Sequence, residues 1–94
     1  NSDIEDSGLP ENIQKLLKMI RDVKKQIAEK QQQLQQVLTN SSLSPEQAKA
    51  QASALQGEIS SLTASLITLN ASLAKAMKDM SSDDALKAAS LAAK

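Results

Sequence analysis

Ninety-four residues without a single Phe, Tyr or Trp make one small domain that lacks the side chains which usually supply the largest burials in a core. Eleven acidic and eleven basic residues balance, so no global field draws the chain to nucleic acid or to an anionic membrane. Cysteine and histidine are both absent, which excludes disulfides, thiolate nucleophiles, imidazole bases and ordinary zinc sites.

What remains is Leu, Ile, Val, Met and Ala for a core, with abundant Lys, Gln and Ser and only two Gly and two Pro. That mixture suits narrow helix–helix seams, and the expected class is all-α. No basic-then-apolar signal peptide is visible, and no apolar run reaches the roughly eighteen residues of a membrane span, so no stable membrane insertion is expected. The first residue is Asn1 rather than Met, which reads as a processed form or an excised fragment.

Residues 1–8 (NSDIEDSG) carry Asp3, Glu5 and Asp6 without a base and show no period, so they read as a flexible acidic leader. Pro10 suits the first turn of a helix, and Glu11 suits the positive end of its dipole. From there Ile13, Leu16, Ile20, Val23, Ile27, Leu34 and Val37 recur at heptad spacing, with Lys30 as the one polar residue on the stripe. The pattern predicts a coiled-coil helix over about 10–38. The same stretch has a basic excess in Lys15, Lys18, Arg21, Lys24, Lys25 and Lys30, which reads first as a solvated helix face.

Thr39 to Leu43 is a polar turn. Ser44-Pro45-Glu46-Gln47 then spells a helix start: Ser44 caps, Pro45 opens the first turn, and Gln47 reaches back to complete a capping box. The second stripe is Ala48, Ala52, Leu55, Ile59, Leu62, Leu66, Leu69, Leu73, Ala76 and Met80, predicting a helix over about 45–80. A short connection between two such helices forces them antiparallel. The expected architecture is an antiparallel two-helix coiled-coil hairpin over 9–80. Leu34 then faces Ala48 to Ala52, Ile27 faces Leu55 to Ile59, Ile13 faces Leu69 to Leu73, and Lys30 comes within reach of Glu58. Ser81-Ser82-Asp83-Asp84 resembles another helix start, so residues 81–94 form a short third helix or a tail.

Several apolar residues fall outside the seams or beyond the end of the first helix. Leu17, Met19, Leu38, Ile67, Ala76, Met77 and Met80 are therefore the candidate interaction surface. Either Ile4 and Leu9 of the leader fold over the unpaired end, or the tail returns, or another chain covers it. A seam of only two helices leaves each residue half wet, and self-association into a helical bundle is the simplest remedy. The stretch from Ile59 to Ala74 holds no charge, and its small exterior residues let another helix approach with little desolvation.

Chemistry is scarce. No catalytic, cofactor-binding or metal-ligating set is expected: the serines lack a base, Asp83-Asp84 reads as acidic residues at a helix start, and Gly8 and Gly57 stand alone. Asn40-Ser41-Ser42 and Asn70-Ala71-Ser72 match the glycosylation sequon by short pattern only. The heptads with interspersed Gln, then Leu43-Ser44-Pro45-Glu46-Gln47, Gln51 and Leu55-Gln56-Gly57-Glu58-Ile59, resemble the FlxA-like family of small bacterial proteins over about residues 13–75. That resemblance implies a bacterial source and a link to flagellar or motility-associated expression, and it brings no catalytic residues. The expected function is a non-enzymatic coiled-coil interaction or structural module, bound to protein partners or to itself. The alternative is a secretion- or flagellum-linked chaperone or exported effector segment, in the bacterial cytoplasm or secreted.

Overall fold

The computed structural model describes residues 2–94. Among them the chain is all-α: α1 (Ser2–Glu5), α2 (Glu11–Thr39), α3 (Pro45–Met77) and α4 (Ser82–Ala93), with the two long helices packed together. A radius of gyration of 17.3 Å exceeds the roughly 12 Å of a compact chain this long. The longest dimension, 55 Å, is little more than the length of α3, about 50 Å at 1.5 Å per residue. The molecule is a rod.

Local chemistry sets the ends of the elements. Ser44 accepts from the Gln47 amide and the Gln47 side chain accepts from the Ser44 amide, both at 3.1 Å, so the capping box forms as the sequence implies. The turn before it is held by Asn40, whose side chain accepts from the Ser42 amide at 2.9 Å. Pro10 stands at the N-cap of α2, one position ahead of the helix, with no side-chain cap on the first amides; Gln14 Nε2 donates to the Leu9 carbonyl at 2.8 Å and ties the entering chain to the first turn. α3 stops at Met77 rather than at Met80 because Ser81 takes an extended conformation and caps α4, accepting from the Asp84 amide. The tail is thus a helix of its own.

α2 and α3 meet along the two stripes. Lys30 Nζ lies 2.9 Å from Glu58 Oε2, both groups partly solvated, so the polar residue on the first stripe lays its stem along the seam and its charge at the rim. Towards the turn, Val23, Ile27, Leu34 and Val37 of α2 and Leu55, Ile59, Leu62 and Leu66 of α3 are only half-buried. Only the small Ala52 is buried in that half, and the larger seam residues keep one flank in water.

The dry part of the molecule lies at the other end. Ile4, Leu9, Ile13, Leu17, Ile20, Leu73, Ala88 and Leu91 form one buried cluster, with Leu16, Leu66, Leu69, Ala76, Met77, Met80 and Ala92 packed on it. α1 and α4 therefore both pack at the end of the α2–α3 pair away from the turn. This corrects the reading of residues 1–8 as a flexible leader: within its described part, 2–8, Ile4 is fully buried and α1 is docked. It also corrects the place of Leu17, which is not an outer surface but fully buried. A strict seam assignment missed it because α1 and α4 add a third side to the packing, and a residue flanking a two-helix seam becomes central when more helices cover it.

Full burial of a large aliphatic side chain is worth about 1.5–3 kcal/mol, and truncating one adds the cost of the cavity. Leu17→Ala is expected to destabilise the chain by about 2–5 kcal/mol, and Leu62→Ala on the half-wet seam by clearly less. Urea titrations of the two variants, followed by circular dichroism, check the order.

Candidate functional site

The basic face of α2 holds the chain's two ends. Arg21 grips Asp3 with both Nη atoms at 2.6 Å, a fork matched to a carboxylate, and Lys18 Nζ meets Glu5 Oε1 at 2.9 Å. Arg21 Nη2 also reaches the Leu91 carbonyl at 3.5 Å, and Lys24 Nζ donates to the Ala92 carbonyl. These carbonyls belong to the last turn of α4, which has no helical donors left for them and carries the negative end of the dipole. Lys87 of α4 donates to the Ser7 carbonyl at 2.9 Å, and Lys94, just past the helix, lies 3.7 Å from Asp3. Three of the six cations that read as a solvated face, Lys18, Arg21 and Lys24, are in fact anchors. The available signal was an acidic leader without a base ahead of a helix with a basic excess.

These contacts set the protonation behaviour of the clasp. Hydrogen bonding to Arg21, and then the charge of Arg21, holds the Asp3 carboxyl far below its ordinary 3.8; Glu5 is lowered from 4.5 by its hydrogen bond to Lys18 and then by the charge of Lys18. Arg21 is raised in turn by Asp3. Because the pairs are exposed, their energetic worth is small and they chiefly set direction; the apolar burial of Ile4 supplies the adhesion.

The remaining candidate residues divide. Ala76, Met77 and Met80 are half-buried against the core cluster, so the chain itself covers much of them. Met19, Leu38 and Ile67 remain exposed at 44%, 66% and 65%, and Leu86 of α4, which the sequence reading passed over, joins them at 69%. Its position in a twelve-residue tail gave too short a pattern to tell an inner from an outer face.

Met19 borders a shallow groove between α2 and α3, lined by Val23, Ser61, Ala64, Thr68 and Leu69. A second groove, near the turn, runs past Val37, Leu43, Gln51, Ala54 and Leu55. On α3 the exposed Ala54, Gly57, Ser61, Ala64 and Thr68 follow one another at steps of three and four, so small side chains form one stripe beside the seam. The stripe crosses much of the uncharged stretch from Ile59 to Ala74. Ile67 lies on another face of the same helix. Among the described residues, no three acidic side chains gather closely enough to hold a metal ion. Nor, among the described residues, is any helix long and apolar enough to cross a membrane.

Comparison with known proteins gives no matching family model, no matching curated protein and no matching solved structure.

The lowered carboxyls give the clasp a pH dependence of definite sign. An acid whose value is depressed on folding stabilises the folded state above its unfolded value, and that contribution is lost as pH falls through the folded one. The docked end is therefore at full strength above about 4.5 and weakens in acid as the two carboxyls take up protons. In the doubly substituted Asp3→Asn, Glu5→Gln chain the acid loss of stability is expected to shrink. Urea midpoints recorded across the acid range for both chains measure it; equal slopes would contradict the assignment.

Proposed function

We propose that this chain is a non-enzymatic coiled-coil module that acts by presenting helix surface to protein partners, with a second copy of itself as the leading one. The observation that carries the reading is the contrast between the two ends of the rod. Where four helical segments meet, the core is dry; where only α2 and α3 meet, Val23, Ile27, Leu34, Leu55, Ile59 and Leu62 are half wet. A further helix laid along that part would complete the burial that α1 and α4 provide elsewhere.

The groove beside Met19 is the place for it. Its α3 wall is small and uncharged, so a helix approaches closely and few polar groups lose water. Balanced charge and the absence of any aromatic side chain give no footing for nucleic-acid recognition. Without His or Cys the ordinary nucleophile–base pairs cannot be built, and the long exposed faces serve binding better than catalysis.

A second reading is a secretion- or flagellum-linked role, as a chaperone or an exported effector segment of a bacterium. It is favoured by the resemblance of the two heptad stretches and the Leu43–Gln47 turn to FlxA-like proteins. In that reading the same half-wet seam receives a client helix in place of a second copy.

Molar mass by sedimentation or light scattering across concentration tests the leading form. The chain is expected to pass from monomer to dimer or tetramer as concentration rises. Ala64→Glu, which places a charge in the groove wall on a residue exposed in the monomer, is expected to weaken that association by tenfold or more, about 1.4 kcal/mol, with helicity unchanged. A monomer at every concentration would remove self-association and leave the client reading, which a helix-dependent partner in a bacterial extract would then have to support.

A further inference from the structure

α1 is four residues long, one turn of helix. One turn does not hold itself, because nucleation fixes several dihedrals for a single hydrogen bond. Its order comes from docking, and apart from Ile4 the attachments are polar and at the rim: ion pairs to Lys18 and Arg21, the more distant Lys94 beside Asp3, and a hydrogen bond from Lys87 to the Ser7 carbonyl. Ile4 is its only buried side chain. The two ion pairs to α2 keep water at both ends: the side chains of Asp3 and Arg21 are 39% and 20% exposed, those of Glu5 and Lys18 58% and 37%. Beyond α1, Ser7 donates its hydroxyl to the Ile4 carbonyl and accepts from the Leu9 amide, which closes the segment on itself. Gly8 follows at φ +74°, a conformation open to glycine and strained for a side chain. Leu9 is buried and lies at the entrance to α2.

Residues 2–7 are thus a short segment, hinged at Gly8 and latched by charge over the aliphatic cluster of Ile13, Leu17, Ile20 and Leu91. α4 has its own hold on that cluster, through the buried Ala88 and Leu91 and through the Lys24 hydrogen bond to Ala92. We propose that residues 2–7 are a strap which opens as a unit while α2, α3 and α4 stay packed, uncovering an apolar groove rimmed by Lys18, Arg21 and Lys94. Sub-global openings of this kind belong to segments with little buried apolar surface and water-accessible anchors, and this segment has both. Salt drives the opening, because it screens exposed ion pairs and leaves the packing of the long helices almost untouched.

The chain has no cysteine, so single thiols report on single places. Ile4→Cys and Leu73→Cys, each in the 94-residue chain, place one in the strap and one in the core between the long helices, where Leu73 is 3% exposed. Reaction with a thiol reagent is expected to be about tenfold or more faster at position 4 than at position 73. The difference is expected to widen at high salt and when Arg21→Gln is added. Since Ile4→Cys itself trims the strap, amide exchange on the unsubstituted chain gives the second measurement. The Asp6 and Ser7 amides, which donate to the Ser2 and Ile4 carbonyls, are expected to exchange faster in salt and with little dependence on denaturant. The proposal is overturned if both thiols react at one common rate, or if those amides exchange only through the global unfolding that frees the amides of mid-α2.

Discussion

A helix carries its apolar residues on a stripe, and two stripes facing each other still leave each flank in water. Everything in this molecule follows from how that geometry is met along its length. Over the half nearest the turn it is not met, and the seam stays half wet from Val23 to Val37 and from Leu55 to Leu66. At the opposite end the chain supplies the missing walls itself, folding α1 and α4 onto α2 so that Ile13, Leu17, Ile20 and Leu73 become fully or almost fully dry.

Charge directs this closure more than it stabilises it. Exposed pairs such as Lys18–Glu5 contribute little energy, yet they are specific in position. Arg21 is the centre of the arrangement, because one planar guanidinium grips the Asp3 carboxylate and turns toward the last carbonyls of α4. A lysine could match the charge but not the fork. Asp3, eighteen residues before Arg21, and Leu91, seventy residues after it, thus converge on one side chain.

The long elements were legible in the sequence for plain physical reasons. Heptads persist over many turns in α2 and α3, the Ser44–Gln47 box has one sensible structure, and Lys30 and Glu58 follow from pairing the stripes across the turn. The Ser81 start was legible only as one of two alternatives, a short helix or a tail, because a capping serine followed by acidic residues marks where a helix can begin and not whether so short a one holds. The leader was not. One isoleucine among acidic and polar residues has no period, and its helix exists only through tertiary contact. Leu17 was misplaced for the same cause: whether a residue flanking a seam is inside or outside depends on walls that the seam does not encode. Of the candidate surface, Met19, Leu38 and Ile67 stand exposed, whereas Leu17 is lost to the core and Leu86 enters from a tail too short to read.

The dry end of the rod is closed by α1 and α4 of the same chain. Nuclear Overhauser effects from the Ile4 methyls to core methyls of α2 and α4, recorded on a mixture of isotope-labelled and unlabelled chains, address it directly. The account predicts contacts confined to one and the same chain. Contacts found only between labelled and unlabelled chains, or none at all from Ile4, would contradict it.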